Sequence, residues 1–85
     1  MKLHAKIIKG TKTLAEEELF ISEDESFQKQ LEQCFIELCK KMEISVPIWL
    51  KKNTREFTRF GRTSFNSDQF FEPVDFDQFE IKFMK

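Results

Sequence analysis

Few side chains in this sequence can do covalent or metal chemistry, and their spacing restricts them further. The one histidine, His4, alternates with Leu3 and Ala5 and so falls on the polar side of an extended segment. No nucleophile is expected beside it, and a surface pair with Glu18 accounts for it better than a catalytic dyad. Cys34 and Cys39 are five apart, about 140° around a helix, so they cannot bridge each other without breaking it. With a single histidine they make no metal set, and they read as small buried hydrophobes. Asp68, Glu72, Asp75, Asp77 and Glu80 offer oxygen ligands for a hard cation, yet their spacing matches no cation-binding loop. The two glycines, Gly10 and Gly61, are far apart, which removes a glycine-rich phosphate loop. The expectation is a protein without catalytic residues, cofactor or metal.

One stretch remains. Lys51, Lys52, Arg55, Arg59 and Arg62 place five positive charges close together with only Glu56 among them, and Trp49, Phe57 and Phe60 are interleaved. Arginine beside aromatic rings anchors protein interfaces. The same mixture supplies stacking platforms and phosphate partners for single-stranded nucleic acid. Taken by itself, the block reads first as paired with the acidic residues that follow it, which makes the charges nearly cancel, with the rings filling the core. The favoured reading is a non-enzymatic interaction module. Its surface is Trp49, Arg55, Arg59, Phe60 and Arg62, flanked by Phe70 and Phe71, and it faces a protein partner that is anionic, with nucleic acid as the alternative. A homodimer is compatible with the phenylalanine content, since eleven rings are many for so small an interior.

These residues must be positioned by a small scaffold. Eighty-five residues make a single domain, 1–85, with one core. The net charge of −1 gives no global reason to bind nucleic acid or a membrane, and no apolar run approaches the ~20 residues that span a bilayer. A cytoplasmic protein is expected from this and from the two unpaired thiols.

The pattern predicts a hairpin over Lys2 to Ile21, turning at Gly10-Thr11-Lys12, with Lys9 facing Thr13, Ile7 facing Ala15 and Leu3 facing Leu19. That register sets Lys6 against Glu16 and His4 against Glu18, making Glu16 to Glu18 a solvated, paired face. A long amphipathic helix is predicted from Glu25 to Ile44, capped by Ser22 and Glu25 and stopped by Pro47, with Phe27, Leu31, Cys34, Phe35, Leu38, Cys39 and Met42 on its apolar stripe. Ile48-Trp49-Leu50 reads as a third strand. Asn53 to Gly61 reads as a turn or two of helix capped by Asn53 and Glu56. Residues 62 to 73 carry little periodicity. Asp77 to Lys85 alternates as a last strand.

The fold class is therefore α+β: a mixed sheet of about four strands with one long helix across one face, the terminal strand lying parallel to the first at the centre. This order of elements resembles the ubiquitin-like β-grasp fold, with a ferredoxin-like split arrangement as the other candidate. The chain ends Phe83-Met84-Lys85 in place of the Gly-Gly terminus of a ubiquitin-type modifier, and two cysteines cannot hold a plant-type iron–sulfur cluster. At the sequence level, Pro47-Ile48-Trp49-Leu50, Glu56-Phe57, Arg62-Thr63-Ser64-Phe65, Asp68-Gln69-Phe70, Phe76-Asp77 and Glu80-Ile81 resemble a group of small uncharacterised bacterial proteins. That resemblance implies no activity or cofactor.

Overall fold

The structure, a computed structural model, describes residues 2–21 and 26–84, and of Phe27 and Gln28 only the backbone. The chain forms β1 (Lys2–Lys9), β2 (Lys12–Phe20), α1 (Phe27–Lys41), α2 (Lys51–Phe60), β3 (Arg62–Asn66), a 3-10 turn (Ser67–Gln69) and β4 (Gln78–Met84). The four strands make one sheet in the order β2-β1-β4-β3. Every neighbouring pair is antiparallel.

The hairpin register is the expected one from Leu3↔Leu19 through Ile7↔Ala15. Beyond Ile7 it shifts, pairing Ile8 with Thr13 and Lys9 with Lys12. Leu14 is therefore an extra, unpaired residue on the edge strand, and the turn contains two residues instead of three. Gly10 takes φ 61°, the left-handed geometry that a two-residue hairpin turn requires and that glycine adopts without strain.

The inner face of the sheet carries Leu3, Ala5, Ile7, Phe65, Phe79 and Ile81, all buried, and α1 lays Phe35, Leu38 and Cys39 against it. Phe35 sits among Trp49, Phe65 and Phe79 at ring separations of 5.6, 5.3 and 6.1 Å. Such tilted and edge-on ring pairs add to the area they bury. α2 packs beside β3 through Phe57 and Asn53. The other face of the sheet has no helix over it among the described residues.

Several expectations need correction. The sheet is wholly antiparallel, so the central pair of a mixed β-grasp sheet is not formed: β4 runs against β1, with Leu3↔Phe83, Ala5↔Ile81 and Ile7↔Phe79 paired. Two-residue alternation reads the same in either direction, which is why composition could not orient this strand. Nor is the order that of a split β-α-β arrangement, because both helices fall between β2 and β3. Residues 48–50 form no strand; Ile48 makes one main-chain bond, its N–H to the Gln69 carbonyl at 2.7 Å, and the segment leads directly into α2. The true third strand is β3, inside the stretch that looked aperiodic. Thr63 and Phe65 point inward there and Arg62, Ser64 and Asn66 outward, but the polar threonine masks the alternation.

α1 begins at Phe27, and the Ser22–Glu25 capping box lies outside the described residues. Its end comes at Lys41, before Ile44. Glu43 adopts φ 58° and donates its N–H to the Lys40 carbonyl, while Ile44 donates to Cys39 at 3.0 Å. This is the Schellman pattern with a glutamate where glycine is usual. Glu17 also departs from the solvated row: alternation turns it toward the helix side, where Lys41 Nζ lies 3.8 Å from its carboxylate.

Candidate functional site

α2 is held in place by a buried polar network, and that network decides which of its faces meets water. Asn53, fully buried, accepts the Leu50 N–H on Oδ1 at 2.9 Å and the Gln69 Nε2 donor at 3.0 Å. Its Nδ2 donates to Thr63 Oγ1 at 2.8 Å and to the Ser64 carbonyl at 3.0 Å. Gln69 donates also to the Ile48 carbonyl and accepts from the Asn66 N–H. Helix, strand, 3-10 turn and the extended lead-in are thereby fastened at one point, and no buried side-chain polar atom lacks a partner among the described residues. A fully satisfied network of this kind fixes a single arrangement. Asn53 contributes to the cap from the third position of the helix, taking the N–H of Leu50, which itself occupies the N-cap. Glu56 accepts the Thr63 hydroxyl at 2.6 Å. That pair has the elements of a base and a nucleophile, but Thr63 is buried and its oxygen is already taken by Asn53, so it is positioned for structure.

With Asn53 and Phe57 turned inward, geometry sets the opposite side. At about 100° per residue, Lys51, Arg55 and Arg59 form one stripe, centred half a turn from the buried pair. The three are exposed, Lys52 flanks them half-buried, and Arg62 follows exposed at the start of β3. None of these five cations is within 4.0 Å of a carboxylate among the described residues. The acidic residues downstream go elsewhere. Asp77 Oδ2 accepts the Gly10 N–H at 2.6 Å, and Asp75 lies 4.0 Å from Lys9. The reading in which the two charge blocks neutralise one another is therefore not what forms.

The aromatic members of the expected surface separate into two groups. Phe60 is 64% exposed, with the Arg59 guanidinium 5.7 Å from its ring centre, and Phe71 is 82% exposed. Phe70, in contrast, is 7% exposed and packs edge-on against Phe76 at 5.3 Å. Trp49 is half-buried, in ring contact with Phe35, Phe57 and Phe65, and its indole N–H donates to Thr54 Oγ1 at 2.8 Å. Phe70 and Trp49 are core-side residues, because the aromatic clusters around Phe35 and Phe79 need them. Arg55, Arg59, Phe60, Arg62 and Phe71 stay on the surface.

Sequence reasoning missed an apolar rim. In the extended lead-in Pro47 and Trp49 turn inward, so Val46, Ile48 and Leu50 face water. Their two-residue alternation was visible, but an apolar run of this kind normally signals a buried strand. Phe71 follows Gln69 by two residues, at most ~7 Å of chain, and Gln69 is bonded to Ile48 and Asn53. The rim therefore adjoins the N-terminal end of the basic stripe.

Neither cysteine is poised for chemistry. Burial pushes the Cys39 thiol up to about 12, and burial followed by the nearby Glu37 charge raises Cys34. Among the described residues no group of three or more candidate ligands could hold a metal ion, and no helix is long and apolar enough to cross a membrane. No family model, curated protein or solved structure matches this chain.

Proposed function

We propose that this domain is a non-enzymatic, cytoplasmic docking module that captures an acidic, partly apolar segment of a protein partner. The observation that carries this reading is the unpaired stripe of Lys51, Arg55 and Arg59, which stands where it weakens the helix bearing it. Lysines occupy the first two positions of α2, at the positive end of the helix dipole, and no acidic residue lies in that turn. Like charges recur four apart along the stripe. Sequences that break local rules in this way commonly do so at functional surfaces. An acidic partner would relieve both faults, and Val46, Ile48, Leu50 and Phe71 would give its apolar side chains a surface from which water is displaced.

The test uses a labelled peptide of alternating glutamate and leucine, titrated by fluorescence anisotropy, with a lysine–leucine peptide as control. Saturable binding of the acidic peptide alone supports the proposal; equal binding of both peptides, or of neither, refutes it. A single-stranded nucleic-acid binder is the second reading, supported by the Arg59–Phe60 stack. It is the weaker one, since Trp49 and Phe57 lie core-side and leave Phe60 as the exposed ring of the three expected platforms. Tighter binding of an oligonucleotide than of the acidic peptide at ~50 mM salt, falling steeply as salt is added, would reverse that order.

A further inference from the structure

We propose that the partner docked at the rim is a second copy of this chain, related to the first by a two-fold axis. The inference rests on the docking reading and names the segment captured, Asp68-Gln69-Phe70-Phe71-Glu72. The chain thus carries an acidic, partly apolar segment of its own, and carries it beside the cations.

Two stretches of main chain lie next to each other at the rim. The Ile48 N–H donates to the Gln69 carbonyl at 2.7 Å, and Gln69 Nε2 donates back to the Ile48 carbonyl at 3.0 Å. On the first stretch, Ile48 and Leu50 are exposed and lead straight into Lys51 and Arg55. On the second, Phe71 is exposed and is followed by Glu72, while Asp68 precedes Gln69 in the 3-10 turn. Asp68 and Glu72 are both exposed, and neither carboxylate is within 4.0 Å of a cation among the described residues. Each stretch therefore presents apolar side chains together with free charge, positive on one and negative on the other.

That arrangement selects the occupant. In a two-fold interface the same patch meets itself, so each of its features must find a complement within it. A half-turn about the rim lays residues 46–55 of one copy on residues 68–72 of the other, and the reverse. The apolar side chains then meet at the centre, and the cations face carboxylates twice over. A short acidic peptide can keep to the stripe, but a partner broad enough to cover the whole rim needs both signs. Acid throughout, it would meet Asp68 and Glu72 as like charges. An apolar centre with arginine and a polar border is the ordinary anatomy of an interface. Phe71 alone offers on the order of 150 Å². The patch is small, so the dimer belongs with the weak, reversible interfaces and has a micromolar Kd.

Sedimentation velocity over a concentration series tests this, with a melting curve for each variant to show that it is folded. Wild type should pass from monomer to dimer at micromolar concentration, less readily as salt is added. Lys51→Glu with Arg55→Glu makes the patch wholly acidic, and Asp68→Lys with Glu72→Lys makes it wholly basic. Each double variant alone should self-associate at least tenfold more weakly. Mixed in equal amounts, the two should form a one-to-one dimer near wild-type affinity, since each stretch again meets the opposite sign. A wild type that stays monomeric, a dimer that either reversal leaves intact, or a mixture that fails to associate would overturn the second-copy partner. The Asp68→Lys, Glu72→Lys protein keeps the α2 stripe and should still bind the glutamate–leucine peptide, so that titration reports on the docking reading separately.

Discussion

Replacing Lys51 by glutamate should make the protein more stable while weakening its hold on an acidic partner. Lys51 is the first residue of α2, exposed, with no carboxylate within 4.0 Å among the described residues. Removing a cation from the positive end of a helix and supplying an anion there are each worth roughly 0.3–1 kcal/mol at low salt. The same change turns a repulsive Lys51/Arg55 pair, four residues apart, into the favourable order of glutamate before arginine, worth about 0.2–0.5 kcal/mol. Solvent exposure argues for the lower half of each range, so the sum is about 1 kcal/mol. For a domain of this size that corresponds to a rise in Tm of roughly 4–8 °C. Thermal and urea unfolding at low ionic strength give the number directly. Near 1 M salt the gain should largely vanish, because the screening length falls to about 3 Å. A destabilised variant, or a gain that salt leaves intact, would show that Lys51 is held by interactions other than those described. Unchanged affinity for the acidic peptide would separate the stripe from docking.

Three further predictions concern the frame that presents the stripe. Asn53→Ala removes the buried contacts to Thr63 and Gln69 and the part-buried ones to the Leu50 N–H and the Ser64 carbonyl; at about 1–3 kcal/mol for a buried polar group left unmade, urea unfolding should report a loss of roughly 2–5 kcal/mol. Glu43→Gly relieves a left-handed backbone at an exposed helix end, and the same assay should show a gain of about 1 kcal/mol. The Cys39 thiol holds its proton up to about 12 in the folded protein against 9.0 as its ordinary value, so the folded state binds that proton more tightly than the unfolded chain does. Its contribution is whole below pH 9 and is lost as pH rises toward 12. Urea midpoints of wild type should therefore fall more steeply above pH 9 than those of Cys39→Ala, and equal slopes would contradict the assignment.

What could be read in advance followed from patterns that one residue cannot imitate. The hairpin register was legible because two apolar and two charged pairs agreed on it, and a slip by one residue would have lost them all. The stop at Gly61 was legible as well: it takes φ 69° and donates its N–H to the Phe57 carbonyl. The direction of β4 was not, since alternation carries no arrow. β3 stayed hidden because Thr63 spends an inward position on a hydroxyl whose partners, Asn53 and Glu56, lie seven and more residues away. The cationic stripe could be read from charge spacing alone. Which rings accompany it could not, because Phe70 and Phe71 are chemically identical neighbours that the chain turns to opposite sides.

The central claim is that the cations on α2 are surplus to folding and serve docking. Arg55→Glu combined with Arg59→Glu tests it most directly when unfolding and acidic-peptide affinity are measured on the same sample. The account predicts an unfolding midpoint close to wild type and an affinity at least tenfold weaker. A collapsed midpoint, or an affinity that survives the double reversal, would contradict it.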